Sequence, residues 1–194
     1  IRYLYSSSSP MNDMRFGYSL TDEARRKLLS FWSVYTFFNT YASIDNPDIA
    51  HFKPSVNDLT VADKWLIESV NEFIENSDKY YADDKNYLVV RDFEKLVDDI
   101  SNFYIRSNRK RFWKSENKND QMTAYWCLYY AIKSLIRIMT PIIPFMTEHI
   151  WQNMVREVEK DEAECIMLSG YPTKIYDMSF EDTLKNVEIA RDIM

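Results

Sequence analysis

Glycine is nearly absent from this chain: Gly17 and Gly170 are the only two among 194 residues. Tight β-hairpin turns depend on residues that tolerate a positive φ, above all glycine, so a sheet built from hairpins is poorly supported. Rossmann and P-loop phosphate-binding turns need several glycines at close spacing, and two glycines cannot build either. Hydrophobic residues make up 46% of the chain, which is ample for burying a core. The composition therefore favours helices.

Apolar side chains recur at three- and four-residue steps in long stretches, which is typical of helices that bury one face. Several of these stretches follow a residue suited to a helix start, such as the capping box Thr60-x-x-Asp63 or a proline at the first helical position. The predicted helix starts are Thr21, Thr60, Lys85, Asp120, Pro144 and Ser179. The pattern predicts an all-α fold, an antiparallel helical bundle.

Three regions are expected along the chain. Residues 1–18 form an irregular lead-in, residues 19–160 the helical bundle, and residues 161–194 an extended connector followed by the start of a C-terminal helical region. Within the last region, "CIMLSGYP" is short and apolar and is predicted to be a docked extended stretch. The chain starts without methionine and stops within a helical pattern, so we expect a segment of a longer protein.

One short segment of this acidic chain has a marked excess of positive charge. The formal net charge is −6, yet the nine residues from Arg106 to Lys114 contain five cations and no acid, so the remainder sums to −11. A uniformly basic domain would suggest unaided nucleic-acid binding, whereas this distribution indicates a single contact patch on a carrier held by other parts.

The spacing within this segment gives it two sides. At 100° per residue, Tyr104 and Ile105 turn toward the core and Arg111 projects elsewhere. The side chains that fall together on the outer side are Arg106, Arg109, Lys110 and Trp113. Guanidinium groups suit phosphates and a tryptophan can stack on an unpaired base, so this side could grip RNA. Alternatively, cations at a helix C-terminus satisfy the helix dipole and pair with acids such as Asp98 and Asp99. Spacing alone leaves the two interpretations open.

The sequence offers few other candidate catalytic, metal-ligating or targeting features. His51 and His149 have no neighbouring ligand-type partner at helical spacing and are expected to be structural. Cys127 and Cys165 lie far apart in no metal-like spacing and are expected to be buried thiols of a reducing compartment. No stretch approaches the eighteen apolar residues of a membrane span, and the start is too polar for a secretion signal. We expect a cytoplasmic protein without a membrane partner.

Several segments together resemble the anticodon-binding region of isoleucyl-tRNA synthetases, which are class I aminoacyl-tRNA synthetases. They are, in order, "SSPMNDMRF", "FWSVYTFFNTYASID", "DKWLIESVN", "VDDISNFYIRSNRKRFW" and "TPIIPFMTEHIW". The match spans nearly the whole chain. "TPIIPF" is shared with the valyl, leucyl and methionyl relatives, whereas "NDMRF" with "NFYIRSNRKRFW" is specific to the isoleucyl branch.

The resemblance implies a helical domain that holds the anticodon stem-loop of isoleucine tRNA and positions it for ATP-dependent aminoacylation by a separate catalytic core of the same polypeptide. It implies no catalytic residue, metal or cofactor in this segment, since ATP and magnesium belong to the catalytic core. The RNA contacts that it implies are Arg15, Arg106, Arg109 and Trp113, and the helical spacing adds Lys110. Two alternatives are a helical scaffold or protein-interaction module, and the equivalent domain of a valyl, leucyl or methionyl synthetase.

Overall fold

The structure, a computed structural model, describes residues 1–11, 13, 17–113, 115, 117–176 and 180–193. These residues form helices and connecting segments, and no β-strand occurs among them, so the predicted all-α helical bundle is confirmed. Two π-helical stretches, Ile100–Ile105 and Trp151–Val155, each connect two α-helical segments of one continuous helix. The helices are α1 (Arg2–Ser7), α2 (Tyr18–Asp45), α3 (Val61–Ala82), α4 (Asn86–Asp99), α5 (Arg106–Trp113), α6 (Lys118–Met139), α7 (Pro144–Ile150), α8 (Arg156–Val158) and α9 (Glu181–Ile193).

Long helices that follow one another in the chain point in opposite directions. As a result α3 and α6 run side by side the same way: Tyr130 Oη of α6 donates to Asn71 Oδ1, and Tyr81 Oη of α3 donates to the Ile138 carbonyl, both at 2.8 Å. The continuous helix from α4 to α5 runs against both of them. One end of the bundle therefore gathers the starts of α3 and α6 and the end of α5.

Aromatic side chains build much of the core. Phe31 of α2 meets Phe93 of α4 edge to face at 5.1 Å between ring centroids, and Phe112 of α5 meets Tyr125 of α6 in the same way at 5.1 Å. Edge-to-face pairs of this kind add to the stabilisation from burial alone. The high aromatic content is thus mostly packing, as the amphipathic stripes suggest.

The lead-in is not irregular throughout, because α1 occupies residues Arg2–Ser7. This short helix has no capping side chain, so local sequence gives little sign of it. Tyr3 and Leu4 are buried, and Tyr3 Oη donates to Glu94 Oε1 of α4 at 2.6 Å. Tertiary packing stabilises α1 where local signals are missing.

Two of the predicted helix starts are confirmed and one is wrong. Thr60 caps α3 through the predicted capping box with Asp63, and Pro144 occupies the first turn of α7. The predicted cap Thr21 is wrong, since α2 begins at Tyr18 and the Thr21 hydroxyl donates to the Gly17 carbonyl inside the first turn. The predicted cap Ser179 lies outside the described residues.

The segment "CIMLSGYP" is only partly extended. Ile166–Leu168 forms a 3₁₀ turn with Ile166 buried, and Gly170 follows at a φ of 72°, which favours glycine. A docked segment without regular secondary structure comes next, where Asn71 Nδ2 donates to the Ile175 carbonyl at 3.1 Å and Tyr176 Oη donates to the Pro54 carbonyl at 2.7 Å.

Candidate nucleic-acid interface

The basic segment is the last part of one continuous helix that starts at α4 and passes through the π-helical stretch into α5. Tyr104, Asn108 and Phe112 are buried at successive four-residue steps. Residues four apart are neighbours on the surface of a helix, so these three side chains form the inner side of α5. The predicted inward side of Tyr104 is confirmed, and Ile105 is half-buried.

The opposite side of α5 carries four exposed side chains, which we call the basic surface: Arg106, Arg109, Lys110 and Trp113. Trp113 keeps 66% of its surface exposed, a large fraction for so large an apolar ring. Arg106, Arg109 and Lys110 form no ion pair with any residue that the structure describes. Their charges are therefore available to an external anion.

Arg111 behaves differently from these three cations. Its side chain is only 12% exposed, and its guanidinium lies 2.9 Å from Asp63 Oδ1 and 2.8 Å from Asp120 Oδ1. The internal pairing that the sequence left open is thus realised by Arg111, with acids at the starts of α3 and α6. Asp98, one of the acids considered as a partner, lies 3.8 Å from Lys27 of α2 instead.

Asp63 organises the interior behind the basic surface. It is fully buried, and its carboxylate accepts hydrogen bonds from the Thr60 backbone N–H, the Thr60 hydroxyl, the Tyr104 hydroxyl and Arg111. Burial, followed by the charge of Asp63, raises the pKa of Tyr104 well above its ordinary value, so this hydroxyl remains a donor. The sequence indicated Asp63 as a helix cap, but it gave no signal that Arg111, 48 positions away, would share it.

Of the five predicted RNA contacts, four therefore lie on one exposed surface, and the fifth, Arg15, lies outside the described residues, as does Lys114 of the basic segment. Their role in RNA binding stays a prediction. The two histidines are away from this surface: His51 is exposed beside Asp48, and the His149 ring packs 5.3 Å from that of Trp32.

Metal ligands, thiols and membrane spans are the remaining features that the sequence analysis considered. No group of three or more His, Cys, Asp or Glu side chains suited to holding a metal ion occurs among these residues. Cys127 is buried as predicted, whereas Cys165 is only half-buried and directs its Sγ to Glu148 Oε2 at 3.3 Å. Within the same residues, every helix is too short or too polar to cross a lipid bilayer.

The helical fold and the sequence together define the class of this protein. Residues 63–194 match the family model described as the anticodon-binding domain of tRNA ligase, and the chain belongs to that family. Within it, the chain is homologous to a region of isoleucine–tRNA ligases.

Three relatives give the extent of this similarity. Isoleucine–tRNA ligase of Clostridium novyi is 35% identical over 181 residues, which are 93% of this chain and 17% of the relative. The Thermus thermophilus enzyme is 36% identical over 174 residues, which are 88% of this chain and 16% of the relative. The Clostridium tetani enzyme is 33% identical over 195 residues, or 98% and 18%. The chain thus spans less than a fifth of the length of these relatives.

Proposed function

We propose that this domain holds the anticodon stem-loop of an isoleucine tRNA against the basic surface of α5, with Arg15 as a further contact. The single observation that carries this proposal is the set of three exposed cations, Arg106, Arg109 and Lys110, which have no ion-pair partner in the described structure of an acidic chain. The names of the relatives support isoleucine as the amino acid of the tRNA.

The chemistry of the basic surface suits an RNA loop. Arginine presents a planar fork that pairs with two phosphate oxygens, and lysine adds a compact charge. Trp113, at the end of the same helix, offers an exposed ring on which an unpaired base of a loop can stack. Phosphate contacts set the position of the RNA, and a stacked base adds affinity that a duplex cannot supply.

On this proposal the chain performs no bond chemistry of its own and has no cofactor. It positions the tRNA so that a catalytic core in the same polypeptide, with ATP and magnesium, attaches isoleucine to the distant end. Residues 1–18 would follow that core, residues 19–160 form the anticodon-binding bundle, and residues 161–194 lead toward a C-terminal helical region. The protein would act in the cytoplasm, where tRNA is charged.

Binding to two tRNAs tests the partner. Fluorescence anisotropy of labelled isoleucine tRNA, titrated with the 194-residue chain, should give a clearly tighter complex than a serine tRNA at the same salt concentration. Equal affinity for the two tRNAs would remove specificity for the anticodon arm from the proposal.

Charge reversal tests the surface. Arg109→Glu should lower tRNA affinity about tenfold or more, because one phosphate contact is replaced by repulsion. The thermal midpoint should barely change, since Arg109 pairs with no described residue. Arg26→Glu is the matched control: it reverses another exposed arginine without an ion pair among the described residues, on α2 beside the Lys27 that pairs with α4. A comparable loss of affinity in both variants would show that only total charge matters.

A further inference from the structure

The guanidinium of Arg111 uses all of its hydrogen-bond donors inside the protein. Nη1 donates to Asp63 Oδ1 at 2.9 Å and to Asn108 Oδ1 at 3.0 Å. Nη2 donates to Asp63 Oδ2 at 2.9 Å and to the Asp120 carbonyl at 3.1 Å, while Nε donates to Asp120 Oδ2 at 3.1 Å. A guanidinium has five N–H groups, so none is left for an RNA phosphate.

This arrangement, the Arg111 clamp, joins three helices through Arg111, Asp63 and Asp120. Asp63 lies in the first turn of α3 and Asp120 in the first turn of α6, whereas Arg111 lies two residues before the end of α5. Burial lowers the pKa of the Arg111 guanidinium, but the hydrogen bonds and charge of Asp63 outweigh burial and raise it above its ordinary value. The Arg111 guanidinium is therefore charged at any physiological pH.

The last turn of a helix frays when nothing outside the helix holds it, because its carbonyls have no helical partners. In α5 that turn contains Lys110 and Trp113 and follows directly on Arg109. Side-chain directions on a helix are fixed relative to one another at 100° per residue. Holding Arg111 inward therefore holds Arg109 and Lys110 outward.

We propose that Arg111 is a positioning residue: by clamping the end of α5 to the starts of α3 and α6 it sets the rotation of the basic surface, and it contacts no RNA itself. This inference rests on the proposed function, because it assigns Arg111 a role in presenting that surface to tRNA. A lysine retains the charge but has no planar fork, so it cannot reproduce two parallel bonds to Asp63 while reaching Asp120.

Arg111→Lys is the decisive variant. We expect tRNA affinity to fall about tenfold, although the formal charge is unchanged, because Arg109, Lys110 and Trp113 are no longer held in one orientation. Affinity is measured by anisotropy at a temperature where circular dichroism shows every variant to be folded. Unchanged affinity in Arg111→Lys would overturn the positioning role.

A matched destabilising variant separates positioning from general stability. Lys133 of α6 is 15% exposed and pairs with Glu159 and Glu162 at 2.8 and 2.6 Å, away from α5. Lys133→Met should lower the midpoint of urea unfolding, as Arg111→Lys does, but should leave tRNA affinity unchanged. If affinity follows stability equally in both variants, Arg111 has only a structural role.

A double-variant background separates positioning from direct contact. In a chain with Arg109→Ala and Lys110→Ala, Arg111→Lys should cause a smaller further loss of affinity, because two of the three side chains that it positions are gone. A loss as large as in the wild-type background would show that Arg111 touches RNA. Asp120→Asn, which weakens the clamp from its 30%-exposed side, is a milder second variant and should reduce affinity about threefold.

Failure of the proposed function gives a different result from failure of this inference. If the unmodified chain does not distinguish isoleucine tRNA, or if Arg109→Glu binds normally, then the proposed function itself is wrong. If those experiments succeed and Arg111→Lys alone binds normally, only the positioning role is lost.

Discussion

Arg109 and Arg111 lie two positions apart on α5 and have different structural roles. Arg109 and Arg111 project about 200° apart around the helix, so one is exposed and the other enters the interior. An exposed, unpaired cation contributes little to folding, which leaves Arg109 suited to binding. Removing one partner from a buried pair such as Arg111 and Asp63 typically costs about 3–5 kcal/mol, because the remaining charge stays buried and uncompensated.

A second charged cluster, between α6 and the segment after α8, leads to a prediction on pH. Glu162 lies 2.6 Å from Lys133 Nζ and 3.1 Å from Arg137 Nη2. Burial raises the pKa of Glu162, but the hydrogen bond and charge of Lys133, with the charge of Arg137, outweigh burial and lower it below its ordinary value. The stability that Glu162 contributes is therefore complete above the pKa of an unfolded glutamate, about 4.3, and is lost as the pH falls through the lower folded value.

Glu162→Gln should accordingly flatten the acid side of the stability profile. We expect the variant to be less stable than wild type at neutral pH and to lose less unfolding free energy as the pH is lowered below about 4.3. Urea unfolding at a series of pH values measures both effects. Glu157→Gln removes an exposed carboxylate without an ion pair among the described residues and should retain the wild-type profile. A wild-type slope in Glu162→Gln would contradict the prediction.

At the scale of the helices, capping signals in the sequence correctly predicted where two of the helices begin. Thr60 and Pro144 begin α3 and α7 as predicted, because a capping box and an N-terminal proline act within one turn of chain. The helix α1 and the π-helical stretches were not predicted. The first depends on the contact of Tyr3 with α4, and a π turn leaves only a subtle change in apolar spacing.

The π-helical stretch Ile100–Ile105 sets the register of α5, and deletion of one residue tests this. Removing Asn102, which is exposed, should convert the stretch to α-helix, and later side chains should keep their direction, because the π turn accommodates one residue more than the α-helical turn that replaces it. Deleting Ser107, an exposed residue of the α-helical part, should instead turn every later side chain by about 100°. Arg111 and Phe112 then miss their partners, so both the free energy of unfolding and tRNA affinity should fall in that variant alone. Urea unfolding and anisotropy measure the two effects, and equal losses in the two deletions would show that the π turn does not absorb the extra residue.

At the scale of the whole molecule, an acidic protein has a cluster of exposed cations without acids at one end of a bundle. The net charge of −6 repels RNA over most of the surface, whereas Arg106, Arg109 and Lys110 attract it locally. Binding by such a surface is expected to be weak in isolation, oriented, and sensitive to salt.

The salt dependence of the association constant measures how many RNA phosphates the protein neutralises. With about three cations engaged, the logarithm of the association constant should fall with the logarithm of salt concentration with a slope of about −2 to −3. Arg109→Glu should reduce the magnitude of this slope by about 1, whereas Arg26→Glu should leave it unchanged. Anisotropy titrations at several salt concentrations give the slope. A value near zero would contradict electrostatic binding at the basic surface.

The sequence by itself determined that this chain is a helical bundle, that its long helices carry apolar stripes, and that one segment has an excess of positive charge. These properties follow from glycine content and from periodicities of a few residues, which the local chain fixes. Only the tertiary structure decided that Arg111 is a buried clamp while its neighbours stay exposed, since Asp63 lies 48 positions away in the chain. The partner of a charge depends on which helix ends meet, and packing of the whole bundle settles that.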